Sequence, residues 1–248
     1  MTEISHIQTI AVIGSGQMGA GIAQVAAQSG LQVRLYDLQA PAVDRARDGM
    51  ARSLAKLEAK ARLAAGDDAA TVLARVHFTT VFEELADADF AIEAIVENEA
   101  IKRELFTKLD ALLNPRAILA SNTSSIPITR LCAATKRPDR VVGMHFMNPV
   151  PVMKLVELIR GLPTSDETFA ETTALAERMG KQICVSQDYP GFIVNRVLIP
   201  FINEACFAVM EGVATPEDID NSCKLGLNHP MGPLTLADFI GLDTVLAI

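Results

Sequence analysis

The most direct chemistry in this sequence lies in the stretch VVGMHFMNPVPVMKLVELIR, Val141 to Arg160, which carries a histidine and a carboxylate on either side of a proline-rich break. An apolar run reaches His145, stops at Asn148-Pro149-Val150-Pro151, and resumes from Met153 to Ile159. Pro149 and Pro151 have no backbone N–H to give a sheet, so the segment reads as strand, turn, strand, with Glu157 returning beside His145. A carboxylate accepting from one imidazole nitrogen fixes the tautomer and leaves the other nitrogen able to take a proton. The pair would then act as a general base. A satisfied core histidine beside an edge-strand glutamate is the plainer reading, and these residues alone leave both open.

A second group of residues points to a nucleotide. The β-branched run Thr9 to Ile13 is followed by Gly14-Ser15-Gly16-Gln17-Met18-Gly19 and an alanine-rich stretch closed by Gly30. This predicts strand, glycine turn and helix: Gly14 for the tight turn, Gly16 for close approach of a pyrophosphate, Gly19 for packing of helix on strand. A second strand, Val33 to Tyr36, ends at Asp37, close to the distance at which an acid meets the adenosine ribose in dinucleotide folds. Asp37 would also repel a 2′-phosphate, which predicts NAD over NADP, with Arg34 the one nearby counter-charge.

The elements that must position these groups alternate in type. A long helix is predicted from Pro41 to about Leu63, with Val43, Met50, Leu54, Leu57 and Ala61 on its apolar face. Ser53, Lys56 and Lys60 fall on another face, and Arg45, Arg47, Arg52 and Arg62 make the helix basic within an acidic chain. It is either a solvated face or a docking surface for phosphates. A helical stretch at Ala69 to Ala74 and a strand at His77 to Thr80 follow. Next come a strand from Phe90 to Val96 ending at Glu97, and a helix from Glu99 to Leu113 with Ile101, Leu105, Leu109 and Leu112 as its core stripe. The strand Ala117 to Ala120 runs into Ser121-Asn122-Thr123-Ser124-Ser125. Ligands of open α/β sheets bind beyond the carboxyl ends of strands, so Glu97 and this loop, Asn122 and Ser124 included, are placed to meet a cofactor. Ser125 also reads as a helix cap.

Beyond the His145–Glu157 segment, Thr164 or Ser165 caps a helix over Glu167 to Met179, and Gln182 to Ser186 forms a last strand. Gln187-Asp188-Tyr189-Pro190-Gly191 then ends the alternation. The expected fold is α/β: an N-terminal Rossmann-type dinucleotide-binding domain, residues 1–187, followed by a smaller all-helical domain, residues 188–248. In the second domain, Phe192 to Met210 reads as a helix bent at Pro200, with Ile193, Val197, Phe201, Ala205 and Ala208 on one side. Thr215-Pro216-Glu217-Asp218 starts another helix, and His229 to Pro233 is a turn before a final short one.

With 248 residues, half of them hydrophobic, the chain can fill one large or two ordinary cores. A net charge of −8 and a pI near 5.0 argue against nucleic acid or an anionic membrane as partner. Cys132, Cys184, Cys206 and Cys223 form no C-x-x-C, which points to free thiols in a reducing compartment and gives no metal site. No signal peptide precedes the first apolar run and no stretch reaches 18 uninterrupted apolar residues, so the expected location is cytoplasmic. The chain breaks off in an apolar segment, Gly241 to Ile248, which reads as a truncated end.

Five motifs in order, GSGQMGAG, SNTSS, HFMNPVPVMKLVE, DYPGFIVNR and HPMGPLTLADFIGLD, make the chain resemble the 3-hydroxyacyl-CoA dehydrogenase family from the glycine turn to the last residue. Met147 stands where many relatives carry a second phenylalanine. The resemblance implies NAD-dependent, reversible oxidation of an (S)-3-hydroxyacyl-CoA to the 3-ketoacyl-CoA, short-chain (3-hydroxybutyryl) in fatty-acid or butyrate metabolism. It implies that His145 takes the C3 hydroxyl proton, Glu157 holds the imidazole, Ser124 bonds substrate near the reacting oxygen, and Asn195 positions substrate from the helical domain. Asp37, Glu97, Lys102 and Asn148 match cofactor-contacting positions, and Ser53 and Lys60 match coenzyme A contacts. A homodimer built through the helical domain is also implied. Two rivals are a dehydrogenase of small free β-hydroxy acids, which would use a catalytic lysine, and a non-enzymatic structural relative such as those of the lens; both leave the His145, Glu157, Ser124 and Asn195 set unexplained.

Overall fold

The computed structural model describes residues 6–247; the opening residues Met1 to Ser5 and the terminal Ile248 lie outside the described residues. The chain divides into two compact units that meet between Asp188 and Tyr189.

The first unit alternates β1 (Thr9–Ile13), α1 (Gln17–Gln28), β2 (Gln32–Tyr36), α2 (Ala40–Glu58), α3 (Ala69–Ala74) and β3 (Val76–Thr79). It continues with β4 (Phe90–Glu93), α4 (Glu99–Leu112), β5 (Ile118–Ser121), α5 (Ile128–Cys132), β6 (Val141–Phe146), β7 (Leu155–Arg160), α6 (Asp166–Arg178) and β8 (Gln182–Gln187). The strands form one sheet in the order β3-β2-β1-β4-β5-β6-β7-β8. Every pairing is parallel except β6 with β7. The short proline-rich return between those two strands allows only the antiparallel arrangement, whereas the other connections are crossovers. All residues of β4, β5 and β6 are buried, as expected for strands covered on both faces. The order reverses between β1 and β4, and a ligand crevice opens at such a point beyond the strand ends.

Several elements depart from their expected bounds. α2 ends at Glu58, and Ala61 takes a left-handed conformation (φ 50°), so Lys60 lies in the turn beyond the helix. β4 ends at Glu93, before the expected Val96, because the Glu93 carboxylate accepts from the Ile95 N–H and turns the chain out of the sheet. Glu97 therefore sits in the following loop. The buried stripe of α4 is Lys102, Phe106 and Leu109, which turns Ile101, Leu105 and Leu112 toward an open cleft. One residue's rotation of a helix is about 100°, and burial of the Lys102 ammonium against Glu93 selects that rotation over the apolar count. Ser125 caps no helix. The N-terminus of α5 is capped instead by Asp188, which accepts from the Ile128 and Thr129 N–H groups and the Thr129 hydroxyl. That latch keeps Asp188 with the first unit. Of the two candidate caps for α6, Ser165 accepts from the Thr168 N–H, while the Thr164 hydroxyl donates to the Val141 carbonyl.

The second unit is helical: α7 (Val194–Met210), α8 (Pro216–Gly226), α9 (Pro233–Ile240) and α10 (Leu242–Ala247). Left-handed Gly191 and Phe192 delay the start of α7 to Val194. Thr215 caps α8 by accepting from the Asp218 N–H, as its spacing predicts. Asp220 caps α9 in the same way through the Leu234 and Thr235 N–H groups. The buried side of α7 is Asn195, Ile202 and Ala205, while Ile193, Val197, Phe207 and Met210 stay exposed, against the expected packing of Ile193 and Val197. The four cysteines are free, and burial pushes the Cys132 thiol up to about 12. Among the described residues no helix is long and apolar enough to cross a membrane.

Candidate active site

At the switch point the glycine turn is tight for steric reasons. Gly14 has φ 101°, and a Cβ there would meet the Ala94 carbonyl oxygen at 2.5 Å; a Cβ on Gly19 would fall 1.7 Å from the Gly14 oxygen. A Cβ on Gly16, by contrast, would meet nothing within 4 Å. The space over Gly16 faces the N-terminus of α1, which no side chain caps and whose first turn holds no acid. Unsatisfied N–H groups and the helix dipole favour an anion there, so the residues present fit a pyrophosphate.

Asp37, just past β2, reaches back to this turn: one carboxylate oxygen accepts from the Ser15 N–H (2.8 Å) and hydroxyl (3.0 Å), the other from the Gln39 N–H. Together with Gly14, Gly16, Tyr36 and Leu38 it lines a cleft of about 1150 Å³ that continues to α4. Arg34 is paired with Asp87 at 2.7 Å, which engages the counter-charge that a 2′-phosphate would need. Gln17 and Met18 open α1 beside Gly16.

The antiparallel register sets His145 opposite Glu157. His145 Nδ1 lies 2.8 Å from Glu157 Oε2, and its Nε2 lies 3.1 Å from the Ser124 hydroxyl. Glu157 is fully buried and His145 is 5% exposed. A carboxylate can only accept, so Nδ1 carries a proton, and in the neutral imidazole Nε2 is then the acceptor, turned toward Ser124.

Ser124 is held by acids and hydroxyls from neighbouring elements. Glu97 accepts from the Ser124 N–H (3.0 Å), the Ser125 N–H and hydroxyl, and the Thr123 hydroxyl. Burial alone would push the Glu97 carboxyl up, but the Lys102 charge and these hydrogen bonds outweigh it and hold the group below the usual carboxylate range. Lys102 is buried, 2.5 Å from Glu93 and 3.1 Å from Glu97. Asn122 accepts from the Phe146 N–H at 2.8 Å, which ties the loop to β6 one residue past His145.

Asn148 lies at the start of the β6–β7 return, before a cis bond to Pro149. The return is pinned by Lys181, whose ammonium donates to the Val150 (2.6 Å) and Met153 (2.9 Å) carbonyls; burial lowers its pKa. Val150 packs so close to α1 that a Cβ on Gly21 would lie 2.9 Å from it. A groove of about 380 Å³ runs between the return, α1 and the Ala42–Met50 part of α2. Ser53 follows one turn beyond Gly49, and Lys60 is exposed past the helix end.

The first unit thus brings together His145, Glu157, Ser124, Asn122, Glu97 and Lys102, with the glycine turn and Asp37 at the switch point. Asn195 belongs to the helical unit, in the first turn of α7. Sequence reasoning missed Glu93, Lys181 and Asp188. An acid inside the apolar run Phe90 to Val96 was a usable signal for Glu93; a lysine ahead of a strand, like Lys181, is ordinarily solvated and gives none.

A dinucleotide turn and a carboxylate-tethered imidazole on one sheet are what a nicotinamide-linked alcohol dehydrogenation needs, and the class is an NAD-binding oxidoreductase. Residues 9–189 match the NAD binding domain of 3-hydroxyacyl-CoA dehydrogenase, and residues 191–248 match its C-terminal domain. A probable 3-hydroxybutyryl-CoA dehydrogenase of Deinococcus radiodurans is 58% identical over 96% of this chain and 84% of its own. The 3-hydroxybutyryl-CoA dehydrogenase of Bradyrhizobium diazoefficiens is 52% identical over 98% and 82%. The crystal structure of (S)-3-hydroxybutyryl-CoA dehydrogenase from Ralstonia eutropha superposes with a TM-score of 0.93 at 49% identity, covering 97% of this chain and 85% of that one. The chain belongs to the 3-hydroxyacyl-CoA dehydrogenase family, and is an NAD-dependent enzyme.

Glu97 has a pH consequence. Its folded pKa is lowered, so its contribution to stability is complete above the unfolded glutamate value of about 4.3 and is lost as pH falls through the folded value. The stability gap between the native chain and Glu97→Gln, measured by denaturant titration, should therefore be widest near neutral pH and close on acidification. A gap that widens toward acid pH would mean that folding raises the Glu97 pKa instead.

Proposed function

We propose that this enzyme interconverts (S)-3-hydroxybutyryl-CoA and acetoacetyl-CoA, with His145, Glu157 and Ser124 as its proton-handling group. The observation that carries the reading is the His145 imidazole, fixed at Nδ1 by a buried carboxylate and turned through Nε2 toward the Ser124 hydroxyl. The names of relatives at 52% and 58% identity support the substrate.

NAD, when bound, supplies the hydride acceptor. The chain's own task is to hold the substrate and move the proton. His145 Nε2 takes the proton from the C3 hydroxyl, and the imidazolium that forms is stabilised by Glu157 across the strand pair. Ser124 donates to the same substrate oxygen, and Asn195, on the strength of its motif, positions the substrate from the helical unit. In the reductive direction the imidazolium returns the proton to the ketone oxygen. General acid–base help of this kind is worth roughly 10²–10⁴ in rate, or about 3–5 kcal/mol. Gly14, Gly16, Gln17, Met18, Gly19 and Asp37 would hold the adenosine and pyrophosphate end of NAD, and Glu97, Lys102, Asn122, Ser124 and Asn148 would surround its nicotinamide end.

Ser53 and Lys60 are assigned to coenzyme A, supported by the basic sequence of α2 and the turn after it. The helical unit is assigned to a homodimer, supported by exposed apolar side chains such as Val197, Met210, Val213 and Phe239. Four free thiols suit a cytoplasmic location.

Three measurements test these assignments. His145→Gln should lose most of kcat for acetoacetyl-CoA reduction while NADH binding, followed by fluorescence, is unchanged; near-normal turnover would remove His145 as the base. Ser53→Ala combined with Lys60→Ala should raise KM for CoA substrates and weaken its salt dependence, leaving a substrate without the CoA nucleotide unaffected. Equal effects on both substrates would make α2 a solvated face. Light scattering on a size-exclusion column should give twice the chain mass, and a stable active monomer at micromolar concentration would refute the dimer.

A further inference from the structure

Glu93 is a fully buried carboxylate that the proton transfer does not use. It stands at the end of β4, in register with Ser121 at the end of β5. Two arms leave it, one reaching the backbone of Thr123 and the other that of Ser124. In the first, Oε2 accepts from the Ser121 hydroxyl at 2.6 Å, and that hydroxyl oxygen accepts from the Thr123 N–H at 3.1 Å. In the second, Oε1 accepts from the Lys102 ammonium at 2.5 Å; that ammonium lies 3.1 Å from Glu97, and Glu97 accepts from the Ser124 N–H. The Thr123 hydroxyl links the arms by donating to Glu97.

Geometry gives this closed loop a purpose. Ser124 lies on an irregular segment past a strand end, where a backbone drifts unless its polar groups are committed. Its hydroxyl must stay within reach of His145 Nε2, at 3.1 Å. A buried ammonium between two carboxylates has one low-energy position, because moving it strands a charge that water cannot reach. Glu93 supplies the rigid member of that arrangement, since it rides on a strand paired on both sides.

We infer that Glu93 is a positioning residue for the reaction: through Ser121 and Thr123 on one arm, and Lys102 and Glu97 on the other, it sets where Ser124 meets the catalytic histidine and the substrate oxygen. The inference rests on the role proposed for Ser124. It differs from a plain stabilising ion pair in predicting that, once NADH is saturating, the loss of turnover in a Glu93 variant is carried by the displacement of Ser124.

A double-mutant cycle reads that difference. With saturating NADH and acetoacetyl-CoA, Glu93→Gln keeps the side-chain volume, removes the charge, and should lower kcat by about 10- to 100-fold, the range expected when a reacting group is misplaced by an ångström or less. Ser124→Ala should lower kcat as well. In the double variant the loss should be no greater than the larger single loss. Losses that multiply, or a Glu93→Gln enzyme with unchanged kcat, would overturn the inference while leaving the role of Ser124 intact. An unchanged kcat for Ser124→Ala would overturn both. Should Glu93→Gln fail to fold, Ser121→Ala breaks one arm by a single hydroxyl and is run through the same cycle with the same criteria.

Discussion

A carboxylate without solvent exposure has to be met by donors, and much of this molecule is arranged around meeting two of them. Glu157 is met by His145 across the β6–β7 pairing, and Glu93, at the end of β4, by Lys102 of α4 and Ser121 at the end of β5. Removing one partner of such a pair leaves an uncompensated buried charge, at a cost of about 3–5 kcal/mol. The single antiparallel pairing in an otherwise parallel sheet follows from the first requirement. Only a strand that turns straight back can put residue 157 opposite residue 145, and the proline-rich return, held by Lys181, makes that turn.

The cofactor end obeys the complementary rule. There the backbone must leave N–H groups uncommitted and must leave room. Gly14 and Gly19 are needed because a side chain at either would collide with backbone, whereas Gly16 is needed because a side chain would fill the open space over the helix N-terminus. Asp37 is bound to Ser15 by two hydrogen bonds, so the acid that would meet a ribose also braces the turn that would meet the pyrophosphate. Binding and local stability are served by the same contacts.

Between these ends lies the Ser121 to Ser125 loop, where the two rules meet. Its hydroxyls and N–H groups are spent on Glu93, Glu97 and the Ser121 hydroxyl, and what remains outward is the Ser124 hydroxyl beside His145. Polar networks in a low-dielectric interior are costly when incomplete and rigid when complete. Rigidity is what a proton relay needs, because the base and the donor have to be in place before the substrate arrives.

By itself the sequence determined the elements whose signal is local. The glycine spacing, the acid ending β2, the prolines between β6 and β7, and the Thr215 cap each act within a few residues, and the structure has them where the chemistry of those residues puts them. His145 and Glu157 were legible as a pair because a tight return carries its own register. Tertiary structure alone decided whatever depended on a distant partner. The rotation of α4 was misread from its apolar spacing because Lys102 is drawn inward by Glu93, a residue on another element. The cap of α5 could not be found near Ser125 because it comes from Asp188, far along the chain. Lys181 carried no signal of its own, because the Val150 and Met153 carbonyls that it meets lie in a return about thirty residues earlier. In each case a buried polar group had to be satisfied, and sequence spacing does not record which neighbour the fold supplies.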